Sequence, residues 1–206
     1  MLTEKAQRKE REYFMRRSSI LAEAEKIFSR KGYHDVTVAE IAAASGFSTG
    51  FLYQFFEGKE HLYTTMISEK IDWMYENIER QVAASEDLME KISVLTEAHL
   101  MFVEENPDLY RIILRGQGEA LSIMMTDIRE KLIEKYLNHL LFIENIFEKG
   151  IEAGLFRNLP ARQMANLLMH IIRAASFDWL MMSTDEPLVS RKEFILDVYL
   201  NGVKKG

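Results

Sequence analysis

Cysteine is absent from this sequence, which removes disulfides, thiolate metal sites and cysteine nucleophiles at once and suits a reducing compartment. Proline is scarce as well, at 3 residues in 206, and glycine reaches only 10, so long helices can run with few interruptions. No hydrophobic run opens the chain. The start, MLTEKAQRKEREYFMRR, is charged, so neither a leader nor a membrane anchor is expected and the cytoplasm is the expected location. Catalytic signatures are missing too: there is no glycine-rich phosphate loop or nucleophile elbow, and the histidines at 34, 61, 99, 139 and 170 never fall three or four residues apart. No catalytic residue, metal site or cofactor is assigned, and an enzyme is not expected.

An excess of positive charge is lacking, with 26 Lys+Arg against 32 Asp+Glu and a net charge of −6. Distribution matters more than the sum for a polyanionic partner. Residues 1–63 hold 10 basic against 9 acidic residues, and residues 64–206 hold 16 against 23, so the acidity belongs to the second part. The opening segment carries Lys5, Arg8, Lys9, Arg11, Arg16 and Arg17 against three glutamates. It reads either as a basic arm along phosphates or as a frayed, solvated helix start.

The densest pattern is TVAEIAAASGFSTGFLYQFFE, from Thr37 to Glu57. Thr37 with Glu40 forms a capping box that starts a helix at Val38, in which the hydroxyl serves a first-turn amide and the carboxylate reaches back. Ile41 and the small Ala42 share one face, and Ala42 lets a second helix cross closely. Gly46 supplies the positive φ that ends this helix, Phe47 plugs the turn, and Ser48 caps a second helix from Thr49 to Phe55. Leu52 and Phe55 or Phe56 point inward, leaving Thr49, Gly50, Tyr53 and Gln54 outward. Such a pair is a helix-turn-helix, whose second helix presents its first residues to the major groove.

Upstream, Ile20, Leu21, Ala24, Ile27 and Phe28 recur at helical spacing and stop at Gly32-Tyr33. Downstream, Gly58-Lys59-Glu60 opens a long helix to about Val82. The run Ile20-Leu21, Ala24, Phe28, Gly32-Tyr33, Thr37, Ile41-Ala42, Gly46, Ser48, Gly50, Leu52-Tyr53, Phe56, Lys59-Glu60 and Leu62 resembles the N-terminal domain of the TetR family of transcriptional regulators. The likeness covers about residues 17 to 63 without a gap. It implies an all-α fold of about nine helices: a three-helix DNA-binding domain over residues 1–63 and a helical bundle over residues 64–206 for effector binding and dimerisation.

The resemblance places Thr37, Ser48, Tyr53 and Lys59 on phosphates, through helix N-termini, a hydroxyl and a full positive charge. Base reading falls to Thr49, Gly50, Phe51 and Gln54, with Gln54 suited to adenine, Phe51 to a thymine methyl and Gly50 to close backbone approach. Thr49, Phe51 and Gln54 depart from the commoner family pattern, which hides the operator, and Phe51 is also readable as core.

Beyond residue 83, helical patterns run from Leu88 to Glu105, from Pro107 to about Gly116, and from about Ala120 to Ala153 with Ile133, Leu140, Ile143 and Phe147 inward. Pro160 to Met182 is apolar nearly all round, so it is expected to face its own core on one side and a second protomer on another. A last helix follows Pro187. By the resemblance, the last two long helices form a homodimer, and Leu168, Ile172, Ala175, Trp179, Phe194 and Val198 are expected at its interface. A two-fold dimer sets its reading helices about 34–36 Å apart on a palindromic operator. The family further implies a cavity for a hydrophobic small-molecule effector that releases a repressor by shifting the helix after Pro107 against the fourth. Trp73, His99, Phe102, Tyr110, Met125, Phe142 and Phe177 are the candidate effector contacts. The rival reading is a helical bundle that binds proteins or small molecules without DNA, and it leaves Thr37 to Lys59 unexplained.

Overall fold

In the computed structural model, which describes residues 4–115, 126–182 and 185–203, every regular element is helical. Nine α-helices are described: α1 Glu4–Lys31, α2 Val38–Ser45, α3 Thr49–Leu52, α4 Lys59–Ala83, α5 Leu88–Glu105, α6 Pro107–Arg115, α7 Thr126–Glu152, α8 Ala161–Met182 and α9 Lys192–Val203. A 3-10 turn over Leu188–Arg191 precedes α9. No helix among the described residues is long and apolar enough to cross a membrane.

The chain gathers into two compact units, Met1–Lys70 with Asp108–Ile128, and Ile71–Pro107 with Arg129–Gly206. The first of these units ends its N-terminal stretch at Lys70, seven residues past the expected break after residue 63. Residue 63 lies within α4, where Leu62, Tyr63, Met66 and Ile67 are all buried and nothing in the sequence interrupts the helix.

In the first unit, Ile20, Ala24, Ile27 and Phe28 of α1 are buried with Val36, Ile41, Ala42, Leu52 and Phe56. Tyr63 packs edge-on to Phe28 at 4.8 Å and to Tyr33 at 4.9 Å, and burial pushes its hydroxyl up to about 12. Arg17 grips Glu69 through both nitrogens at 2.6 and 2.8 Å, tying α1 to α4. Because that pair is half-exposed, it contributes at most about 1 kcal/mol. The opening segment is helical from Glu4, with Lys5, Arg8, Lys9 and Arg11 exposed along it.

The second unit is built on α5, α7, α8 and α9, where Leu95, Leu100, Ile143, Phe147, Leu168 and Tyr199 are buried, the last donating its hydroxyl to the Met164 carbonyl at 2.7 Å. Gly154, at φ 71°, ends α7 in the left-handed conformation. Phe156 folds back over Gly150, where any Cβ would overlap its ring. Ile133, expected inward, is 45 % exposed. It lies two heptads before Phe147, and the straight helix drifts about 20° per heptad, enough to carry it off the buried stripe.

Candidate nucleic-acid interface

The turn between α2 and α3 is made as the residues dictate. Thr37 accepts the Glu40 amide at 3.2 Å, and Gly46 at φ 77° closes α2 with Phe47 donating its amide to the Ala42 carbonyl at 2.9 Å. Only half of the capping box forms: the Glu40 carboxylate reaches Lys31 at 2.6 Å instead of turning back. Ser48 accepts the Phe51 amide at 3.2 Å. Regular α-helix then lasts just four residues, Thr49–Leu52, and the chain tightens into turns in which Gln54 donates to Phe51 and Phe55 to Leu52. The expected helix to Phe55 is thus shortened, since Tyr53, Phe55 and Phe56 are weak helix formers with Gly58 close behind.

Outward from this segment point Gly50, Tyr53 and Gln54, all exposed, with Thr49 half-exposed. A side chain on Gly50 would meet no atom of the protein, so its backbone lies open to an approaching surface. Thr37 and Ser48 are exposed beside the amides they cap. These six residues are accessible at or near two helix starts, where polar hydrogens and the positive dipole ends favour an anion.

Two candidates meet their own chain in this structure. The three hydrogens of the Lys59 ammonium go to the carbonyls of Tyr33, His34 and Val36, at 2.9, 3.2 and 2.8 Å, and the charge lies 4.4 Å above the Tyr33 ring. It clamps the turn after α1 and has no donor left for a phosphate. Phe51 is half-buried in an aromatic ladder, stacked on Phe47 at 4.8 Å and edge-on to Phe55 at 5.2 Å, with Tyr13 of α1 4.6 Å from Phe55. Its ring holds α1 beside the turn rather than offering itself to a base. Tyr13 was missed because the fold alone brings it to Phe55, 42 residues away, whereas Phe47 and Phe55 were read as inward without their contacts to Phe51.

In the second unit, the candidate effector residues separate. Trp73 lies 6.0 Å from Phe102, though it is 53 % exposed, while His99 is buried with its Nε2 3.0 Å from Nε2 of His139. His139 in turn meets Glu79 through Nδ1 at 3.0 Å, stacks on Tyr75 at 4.1 Å and lies 6.1 Å from Phe142. Since a carboxylate only accepts, His139 donates through Nδ1 and accepts through Nε2 the proton of His99. Burial holds both histidines below their ordinary range, His99 further by the nearness of His139 and His139 less because Glu79 pulls it back. Phe177 is 45 % exposed on α8, so it faces away from any interior site. Tyr110 belongs to the first unit, and Met125 lies outside the described residues.

The interface candidates separate in the same way. Leu168 and Ile172 are buried in their own unit, and the Trp179 indole donates to the Glu186 carbonyl at 2.8 Å with Ala175 half-buried beside the 3-10 turn that Arg191 anchors to it. Phe194 and Val198 are 73 and 55 % exposed, and the outward face of α8 adds Leu167 at 53 % and Met181 at 67 %. Leu167, Ile171 and Val198 line an open groove of about 380 Å³ along α8 and α9. The apolar girth of α8 therefore divides into a core face and a bare face.

Comparison with known proteins adds kinship to this geometry. A family model described as bacterial regulatory proteins, tetR family, matches residues 20–66, and one described as the YsiA-like protein, C-terminal region, matches residues 67–202. The fatty acid metabolism regulator protein of Bacillus subtilis (strain 168) is 22 % identical over 185 residues, 89 % of this chain and 93 % of that protein. Among solved structures, the fatty acid degradation regulator FadR from Bacillus halodurans is similar with a TM-score of 0.79 at 22 % identity, over 91 % of this chain and 95 % of that one. FadR from Bacillus subtilis in complex with stearoyl-CoA is similar with a TM-score of 0.76 at 22 % identity, over 90 and 98 %.

Proposed function

Because this chain belongs to the TetR family of regulatory proteins, a DNA-binding and ligand-responsive one, we propose that it is a repressor released from a palindromic operator by a long-chain acyl-CoA. The observation that carries the effector class is the match of the whole second part to the YsiA-like C-terminal region, in a chain that aligns along its length with a fatty acid metabolism regulator. A structural relative holds stearoyl-CoA, a ligand whose long apolar chain suits a methionine- and phenylalanine-rich helical unit.

The first unit reads DNA, with Thr37, Ser48 and Tyr53 on phosphates and Thr49, Gly50 and Gln54 on base edges. The second unit takes the effector, with His99, Phe102, Phe142 and Trp73 as its contacts, and pairs with a second protomer through Leu167, Phe194 and Val198. The protein acts by binding rather than catalysis, in the cytoplasm. An effector switches it by preferring the conformation that holds DNA poorly, and only by that difference in affinity.

The test begins by selecting duplexes from a random pool with the full chain, then titrating stearoyl-CoA into the complex. Release by stearoyl-CoA and not by free coenzyme A is the expected result, with a two-fold consensus in the selected sequences. An unchanged affinity for the duplex at saturating stearoyl-CoA rules the effector class out.

A further inference from the structure

The family model matches from residue 20, yet α1 starts at Glu4, so sixteen residues of helix precede the matched segment. This extension is tied down. Tyr13 lies against Phe55 at 4.6 Å, and through Phe55 it joins the ladder of Phe51 and Phe47 that backs the reading segment. The Arg16 guanidinium is 5.8 Å from the centre of the Phe51 ring, on the same side.

Helical geometry selects which charges share that side. Lys5, Lys9, Tyr13 and Arg16 are spaced by four, four and three residues, so they form one stripe along the helix, with Glu12 at its edge. Arg8 and Arg11 fall on other faces, and Arg17 is held by Glu69. Lys5, Lys9 and Arg16 are exposed, and Lys5 and Lys9 have no acidic partner among the described residues. Glu12 touches Arg16 only at 3.9 Å, its shorter pair being with Arg8 at 3.0 Å.

We propose that Lys5, Lys9 and Arg16 form a second DNA contact, a phosphate-binding stripe carried by the α1 extension and aligned with the reading segment by the aromatic ladder. This rests on the DNA-reading assignment of the first unit and adds to it residues ahead of the helix-turn-helix. It also gives Phe51 and Phe55 a task, since both hold the extension in register with α3. The contact is to the backbone, so it raises affinity for any duplex and leaves sequence preference to Thr49, Gly50 and Gln54.

The experiment compares the unaltered chain with the triple variant Lys5→Gln, Lys9→Gln, Arg16→Gln, in which glutamine keeps the helix propensity and removes the charge. Binding is followed by fluorescence anisotropy across a salt series, on the duplex selected by the unaltered chain and on a scrambled duplex of equal length. Each phosphate contact contributes about 0.9 to the slope of log affinity against log salt, so the variant loses about 2.7 per protomer. Over a fourfold rise in salt its binding should weaken about 40-fold less per protomer than that of the unaltered chain. The slope should fall on both duplexes alike, with an unchanged selected consensus. An unchanged slope overturns the stripe while the reading assignment stands, and a fall on the selected duplex alone overturns its phosphate character. Failure of the unaltered chain to enrich any duplex overturns the reading assignment itself.

Discussion

Lys59 is the residue for which sequence and structure give opposite experimental outcomes, and Lys59→Met separates them. The substitution keeps most of the apolar stem and removes the ammonium, leaving the carbonyls of Tyr33, His34 and Val36 without their shared donor. Hydrogen bonds from a charged donor contribute about 1.5–3 kcal/mol each when buried, but here the site is half-exposed and water can reach carbonyls that lose the lysine. Adding the loss of the Tyr33 cation–π contact, the variant should be destabilised by about 2 kcal/mol in total. For a chain of this size that lowers the thermal midpoint by about 4–8 °C. Scanning calorimetry measures that shift, and anisotropy on folded variant at low temperature measures the salt slope of DNA binding, which should match the unaltered chain. A midpoint within about a degree of the unaltered protein, together with a slope reduced by about 0.9 per protomer, would refute the clamp and restore the phosphate role.

Acid should weaken the second unit through His99 and His139. Both are held below their ordinary range when folded, so the unfolded chain takes up their protons first as pH falls below about 6.5; their stabilisation is full above that pH and lost below it. Urea midpoints should fall from pH 7.5 to 5.5, and fall less in His99→Leu; an equal slope in the variant contradicts it. Gly150→Ala should cost about 1–3 kcal/mol by driving a methyl into the Phe156 ring, whereas Gly202→Ala, with open space at its Cβ, should be neutral or stabilising by up to about 1 kcal/mol; equal melting shifts would refute the packing argument. Gln54→Ala should alter the selected consensus at one position by about 1–3 kcal/mol, while Tyr53→Phe weakens all duplexes alike; equal losses on specific and scrambled DNA for Gln54→Ala remove its reading role. Leu167→Glu with Phe194→Glu should give monomers in light scattering, and a persistent dimer would place the interface elsewhere.

The helices were legible wherever a local rule acts alone. Gly46 reached its left-handed turn, Ser48 and Thr37 capped the helices they precede, and Pro107 opened α6, because each depends on a few neighbouring atoms. Burial in α8 was half legible. Its all-round apolarity announced two packed faces, but assigning Leu168 to one and Leu167 to the other requires knowing where α5 and α9 lie, and no periodicity in a uniformly apolar helix carries that phase. The histidine pair shows the limit more sharply: forty residues separate His99 from His139, so spacing rules that find ligands on one helix could not see them meet.

The reading face is narrower than its residues suggest. A lysine at a helix start and a phenylalanine on a recognition helix both carry chemistry that DNA would welcome, and sequence reasoning credits that chemistry to the partner. In the fold, each meets its own chain first: Lys59 finds three carbonyls at the end of α1, and Phe51 finds Phe47 and Phe55. The groups that remain outward are Thr49, Gly50, Tyr53 and Gln54, none of them charged. Charge for a phosphate backbone, as proposed for α1, lies elsewhere on the same unit. The first unit offers it along α1, where the displaced aromatic rings hold Arg16 beside the segment that reads.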